Sequence, residues 1–234
     1  MSNSLEAVIL AGGLGTRLRS VVADRPKVLA TVAGRPFITR LLDQLVATGI
    51  NRVVLCTGYK AELVEATLGE SYRGMTLVYS VESEPLGTGG AVRLALPKLN
   101  ASTVLMMNGD SFCAADLSSF TTTHAARQAK ASMLLTEMPD TSRFGRVEFA
   151  ADGHVTAFIE KGQVAGPGWI NAGIYLLDRT LLAEIEPGRA VSLEREVFPT
   201  WVAQRTLIAD ALGKRFLDIG TPESFAAAES FFQA

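Results

Sequence analysis

The segment Ala7-Val8-Ile9-Leu10-Ala11-Gly12-Gly13-Leu14-Gly15-Thr16-Arg17-Leu18 runs from an apolar stretch with no alternation straight into a glycine-rich loop. The apolar stretch, Ala7–Ala11, reads as a strand buried on both faces, as in a parallel sheet. Glycines without Cβ let the loop that follows take positive φ and come close to a ligand. Successive N–H groups can then cradle phosphate oxygens. Arg17 adds a rigid cationic fork for the same oxygens. Two commoner phosphate loops do not match. A Walker A loop needs Gly-Lys-Ser/Thr, which the chain lacks, and the dinucleotide fingerprint needs a third glycine where Leu18 stands. Hydride chemistry therefore loses its main support. A tight strand-to-helix turn would explain a lone Gly-x-Gly; three glycines with Thr16 and Arg17 favour a phosphate site.

Outward from this unit, strands alternate with helices. Pro36–Thr48 is an expected helix, with Ile38, Leu41, Leu42 and Leu45 apolar and Gly49 as its stop. Arg52–Thr57, Met75–Ser80 and Thr103–Met107 are expected strands, and Gly87–Leu96 a short helix opened by glycines. After about Ala131 the pattern becomes strand-rich: Ala131–Glu137, Gly145–Phe149, Val155–Glu160 and Trp169–Leu177, with turn signals such as Asp152-Gly153. A helix carrying Leu181, Leu182 and Ile185, another around Leu193–Trp201, two short strands and a helix from Pro222 complete the chain. The expected fold class is α/β: a Rossmann-like core with a mostly parallel mixed central sheet flanked by helices. The strand-rich second part is expected to pack on the first half within one domain, 1–234.

Composition removes several functions. The 234 residues are 48% hydrophobic and 20% charged, ordinary values for a globular protein with a sizeable core. Lys plus Arg is 22 against 24 for Asp plus Glu, a formal net charge of −2, which argues against nucleic-acid and membrane-surface binding. Met1–Glu6 lacks the basic and apolar regions of a signal peptide, and no apolar run approaches the ~18 residues of a membrane span. Cys56 and Cys113 are too few for a disulfide framework or zinc cluster, and His124 and His154 are the only histidines. A catalytic metal would be a hard cation on carboxylates. The expected compartment is the cytosol, with both thiols reduced.

Further along stand the remaining charged candidates. Lys27, after Pro26, can return to the phosphates, although alone it reads as a surface lysine. Asp110 ends the Thr103–Met107 strand in Asn108-Gly109-Asp110, and Asp218 ends another in Leu217-Asp218-Ile219-Gly220-Thr221-Pro222. Asn-Gly-Asp is also a turn sequence, and Asp218 also suits an N-cap or Asx turn. If the two aspartates converge, they form a two-carboxylate magnesium site that leaves places for phosphate oxygens and water. Glu160, Lys161 and Asn171 suit sugar hydroxyls and a sugar phosphate, or equally an exposed charge pair and a turn.

Taken in order, Gly12-Gly13-x-Gly-Thr-Arg, Pro26-Lys27, Leu86-Gly87-Thr88-Gly89, Asn108-Gly109-Asp110, Glu160-Lys161, Asn171-Ala172-Gly173 and Asp218-Ile219-Gly220-Thr221-Pro222 resemble the sugar-1-phosphate nucleotidylyltransferase family over nearly the whole chain. Within it the chain resembles most the bacterial D-glycero-α-D-manno-heptose 1-phosphate guanylyltransferases, partly through Ser192-Leu193-Glu194-Arg195-Glu196-Val197-Phe198-Pro199. The resemblance implies the nucleotide-diphospho-sugar transferase fold, with a nucleotide-binding half to about residue 130 and a sugar-phosphate-binding half from about 131. It implies that Arg17 and Lys27 are catalytic. Leu10, Gly12, Gly13, Gly15, Thr16, Glu82, Gly87 and Thr88 would bind the nucleotide. Gly109, Gly145, Glu160, Lys161 and Asn171 would bind the sugar phosphate, and Asp110 and Asp218 would hold Mg²⁺. Family members often carry proline where this chain has Val28, Thr31 and Gly162, and tyrosine at Phe144, but no charged group is missing.

The implied substrates are GTP and a sugar 1-phosphate. The acceptor phosphate is largely dianionic at neutral pH, its second pKa being about 6, so no general base is needed. Glu82, five residues before Gly87, stands where uridylyl- and thymidylyltransferases of the family often place Gln. One carboxylate can accept both N1–H and the N2 amine of guanine, whereas uracil and thymine would turn lone pairs towards it. Glu84 can take the same role in a shifted register. The expected reaction is GMP transfer to D-glycero-α-D-manno-heptose 1-phosphate, for capsule or lipopolysaccharide precursors. Mannose 1-phosphate is the alternative acceptor, and a uridylyl- or thymidylyltransferase the alternative for the base. From other classes come a non-catalytic regulatory relative, which would have lost a charged residue, and a glycosyltransferase, which would carry the Asp-x-Asp absent here.

Overall fold

The computed structural model describes residues 5–18, 20–159 and 162–233. Strand β1 (Glu6–Leu10) is followed by the glycine loop and two short 3₁₀ turns, Thr16–Leu18 and Lys27–Leu29. A small hairpin, β2 (Thr31–Val32) with β3 (Arg35–Pro36), leads into helix α1 (Ile38–Ala47). Then come β4 (Arg52–Thr57), α2 (Ala61–Leu68), β5 (Ser71–Tyr72), β6 (Met75–Val81), α3 (Gly87–Ala95) and β7 (Thr103–Asn108). The second part holds β8 (Ser111–Cys113), α4 (Leu117–Ala126), β9 (Ala131–Met138), β10 (Arg146–Phe149), β11 (Val155–Ile159) and β12 (Gly168–Asp178). It ends with α5 (Arg179–Ala183), a π-helical turn over Leu193–Val197, α6 (Phe198–Ala203), β13 (Leu207–Gly213), β14 (Phe216–Asp218) and α7 (Pro222–Gln233).

Eight strands form one sheet in the order β13-β9-β12-β7-β1-β4-β6-β5. Strands β7, β1, β4 and β6 are mutually parallel, while β12 runs antiparallel to both β7 and β9. Their apolar runs are continuous because both faces are covered. Ala7 and Ile9 point into one core with α1, α2, α4 and α7, and Val8 points into the other with α3, α5 and α6. Helix α1 shows why the local reading works. Ile38, Leu41, Leu42 and Leu45 are buried at helical spacing. Gly49, at φ +81°, ends it in a Schellman arrangement, its N–H donating to Val46 O and that of Ile50 to Leu45 O.

The chain leaves β1 towards β4 on one side and later crosses to β7 on the other. The carboxyl ends of β1 and β7 therefore open a crevice, the usual ligand position in such sheets. Gly109 closes its base. The Gly109 N–H donates to Leu10 O at 2.9 Å, and a Cβ there would stand 2.5 Å from that oxygen.

Some expected elements differ. The expected strand Trp169–Leu177 is β12, but it is interrupted by a bulge at Asn171-Ala172-Gly173. The expected helix from Leu193 opens with a π turn before α6. Helices α2 and α4 were not expected. Among the described residues no helix is long and apolar enough to cross a membrane.

Candidate active site

Two clefts open along the carboxyl ends of the strands. The first, about 370 Å³, is lined by Leu10, Gly12, Gly13, Lys27, Glu82, Gly87, Thr88, Asn108, Asp110 and Glu194, among others. The second, about 380 Å³, is lined by Phe144, Gly145, Arg146, Phe158, Asn171, Ser192, Glu194 and Arg195, among others. Glu194 lines both. It accepts the Thr88 hydroxyl at 2.8 Å and the Ser192 hydroxyl at 3.0 Å, which hold the carboxylate at the junction.

Glu82 lines the first cleft. Gly12 and Gly58 make room for it: a Cβ on Gly12 would lie 2.7 Å from Glu82 Oε1, and one on Gly58 2.8 Å from Cγ. The Leu86 N–H donates to Glu82 Oε2 at 3.1 Å. Burial pushes the Glu82 carboxyl up, and that N–H pulls it partly back. Glu84, the other acidic candidate, lies in a small adjoining recess that Glu82 also lines.

Of the charged candidates, Lys27 and Asp110 line the first cleft, whereas Arg17 and Asp218 line neither. Lys27 Nζ is 2.5 Å from Asp110 Oδ2. Strand β14 pairs antiparallel with β8, placing Asp218 opposite Ser111, and the Ile219 N–H donates to Asp110 O at 2.9 Å. The two aspartates are thus brought together by backbone pairing. Arg17, on the far side of the glycine loop, reaches the same turn: a Cβ on Gly220 would lie 3.5 Å from Arg17 Nη2 and 2.7 Å from Asp218 Oδ2. Arg143 stands 3.8 Å from Asp218.

Several expected residues sit differently. Gly15, at φ +59°, and Thr16 shape the loop without lining the first cleft. Gly109 lines neither cleft and is a glycine because β1 and β7 approach there. Gly87 does line the first cleft, but a Cβ on it would also strike Val191 O at 2.6 Å. Glu160 and Lys161 lie outside the described residues. Asn108, Arg143, Arg146 and Glu194 had no assigned role in the sequence reading. Only Asn108, beside Asp110 at a strand end, carried a signal that could have found it.

The chain matches the model of the Nucleotidyl transferase family over residues 6–234. It is 37% identical over 227 residues to the mannose-1-phosphate guanylyltransferase of Mycobacterium tuberculosis, covering 96% of this chain and 63% of that protein. It is 35% identical over 229 residues to the D-glycero-alpha-D-manno-heptose 1-phosphate guanylyltransferase of Aneurinibacillus thermoaerophilus, covering 98% and 99%. In structure it is similar to HddC from Yersinia pseudotuberculosis complexed with GMP-PN, with a TM-score of 0.85, 33% identity, and 97% and 99% of the two chains covered. With the family model matched over residues 6–234 and these relatives over nearly the whole chain, this chain belongs to the nucleotidyl transferase family.

Proposed function

We propose that this chain transfers GMP from GTP to a sugar 1-phosphate, D-glycero-α-D-manno-heptose 1-phosphate, and releases pyrophosphate. The observation that carries the reading is the pair of adjoining clefts, one lined by the partly buried Glu82 carboxylate and the other by Asn171 and Gly145. Glu82 accepts the N1–H and N2 amine of guanine together. The acceptor phosphate oxygen bonds to the α-phosphorus as the bond from that phosphorus to the pyrophosphate oxygen breaks. Both substrates are polyanions, so the protein's work is positioning and charge neutralisation. Arg17 and Lys27 lie on the phosphates, and the N–H groups of the 12–15 loop cradle them. Asn171 and Gly145 take the acceptor, and the family resemblance adds Glu160 and Lys161, which lie outside the described residues, to that role.

Asp110 and Asp218 fit a hard divalent cation, Mg²⁺. Both are carboxylate oxygen donors, the kind a hard cation takes, on backbone-paired segments, and Asp110 lines the first cleft. When bound, the ion neutralises phosphate charge and orients the oxygens. We read the whole chain as one nucleotidyltransferase unit working in the cytosol on surface-polysaccharide precursors. The free, buried thiols Cys56 and Cys113 suit a reducing compartment.

The test is pyrophosphate release with Mg²⁺ and GTP, comparing the heptose 1-phosphate with mannose 1-phosphate. Preference for the heptose supports the reading. Turnover of mannose alone, the reaction named for the mycobacterial relative, moves the assignment to that sugar. Silence with both, and activity with UTP or dTTP, removes the guanine assignment.

A further inference from the structure

The two clefts share a floor. Tyr175 is wholly buried beneath them, its ring packed on Phe198 with centroids 5.2 Å apart, and it lines neither cleft. Its hydroxyl lies against two carboxamides. Asn171, from the acceptor cleft, donates from Nδ2 to Tyr175 Oη at 2.7 Å, and Asn108, from the nucleotide cleft, is the second. The other end of Asn171 is fixed as well, since Oδ1 accepts the Gly173 N–H at 2.9 Å.

A dedicated distortion of β12 brings these groups together. Asn171 stands opposite Leu135 on β9 and Tyr175 opposite Met133, so three residues of β12 span one of β9. A regular strand would hold residues 171 and 175 about 13 Å apart. Gly173 sits in the bulge at φ +73°, and a Cβ there would lie 2.8 Å from Asn108 Nδ2 and 2.8 Å from Ser111 Oγ. Asn108 Oδ1 is buried without a partner among the described residues. The Tyr175 hydroxyl thus joins one carboxamide from each cleft, accepting from Asn171 and bonded to Asn108.

We propose that Tyr175 is a positioning residue, whose hydroxyl fixes the Asn171 carboxamide for the acceptor sugar and ties it to Asn108 at the nucleotide cleft. The inference rests on the assignment of the two clefts given above. Tyr175→Phe keeps the ring and removes only the hydroxyl. The KM for the sugar 1-phosphate is expected to rise about tenfold, while the Kd for GTP measured without acceptor stays within about twofold. The Gly173 N–H, held by Asn171, is expected to exchange faster with solvent deuterium in this variant. Adding Tyr175→Phe to Asn171→Ala should cost nothing further. Unchanged acceptor KM with unchanged Gly173 exchange overturns the proposal. So does a loss of thermal stability with both substrates weakened alike, which marks packing alone. A wild-type protein silent with every sugar 1-phosphate would sink the functional reading, and the exchange rate of Gly173 would still decide this one.

Discussion

Residues 10–18 and 86–90 are both glycine-rich, both border the first cleft, and differ in what surrounds the missing Cβ atoms. At Gly13 nothing lies within 4 Å, and at Gly12 the nearest atom is the Glu82 carboxylate oxygen. At Gly87 and Gly90 the nearest atoms are backbone carbonyl oxygens, Val191 O at 2.6 Å and Arg189 O at 2.7 Å. The second run is also bonded to that segment, a strap over residues 189–194: Gly89 N–H donates to Val191 O at 2.8 Å, and Val191 N–H to Leu86 O at 2.8 Å. One segment leaves open space at Gly13 and room for the Glu82 carboxylate at Gly12. The other seats a neighbouring chain segment, and so carries Glu194 to the junction of the clefts. Glycine at a motif position therefore has two meanings, and only the space around it separates them.

The largest effect is expected at a charge rather than at any glycine. Asp110→Ala should lower turnover on the order of a hundredfold or more without changing the thermal midpoint, because preorganised charge stabilises the transfer and not the fold. Wild-type turnover in that variant removes Asp110 from the metal assignment. Next comes Gly90→Ala. The added methyl meets Arg189 O and Leu86 Cβ at 2.7 and 2.9 Å, so the strap must shift. We expect a loss of about 2–3 kcal/mol in denaturant unfolding. Near-native stability would mean that the strap moves freely, and the contrast between the two glycine runs would fail.

The same contrast explains what could be read from the chain in advance. The strands β1, β4 and β7 were legible because burial on both faces forces unbroken apolar runs, and α1 because its buried stripe ends at a glycine. Helix α4 was not legible. Its sequence, Leu117-Ser118-Ser119-Phe120-Thr121-Thr122-Thr123-His124-Ala125-Ala126, is rich in weak helix formers, and only Leu117, Phe120 and His124 are buried. Tertiary packing and the Asp116 cap, which accepts the Ser119 N–H at 3.0 Å, hold it instead. In the site, glycines and charges in fixed order were legible because chemistry restricts their identity. Glu194 and Tyr175 were not, since one is delivered by docking of the strap and the other by a bulge in β12. The bulge leaves no local pattern, and Glu194, although inside the Ser192–Pro199 run that carries the resemblance, has no local sign of its place at the junction.

Glu82 sharpens the comparison at the ligand-facing side. Burial lifts its carboxyl above the ordinary 4.5, and the guanine contact proposed above needs the ionised form. GTP affinity should thus be full above that raised value and fall as pH drops through it, starting at a higher pH than an exposed glutamate would give. The desolvated carboxylate adds nothing to stability above its ordinary range, so Glu82→Gln should unfold like wild type or slightly later. The variant should bind GTP about tenfold more weakly and lose this pH dependence. Titrating GTP affinity in both proteins checks it, and an identical pH profile would point to Glu84.

The smallest expected effect is the most direct test of empty space. Gly13 borders the first cleft, its φ lies outside the left-handed region, and a methyl there would touch no protein atom within 4 Å. Replacing such a glycine by alanine narrows the unfolded ensemble and stabilises by about 0.4–1 kcal/mol. Gly13→Ala should therefore match or exceed wild-type stability while raising the KM for GTP about threefold, because the methyl occupies room meant for the nucleotide. Gly90→Ala should show the reverse order, with stability lost first. If Gly13→Ala instead unfolds early with GTP binding intact, the open space is structural, and the 12–15 loop would resemble the 86–90 segment after all.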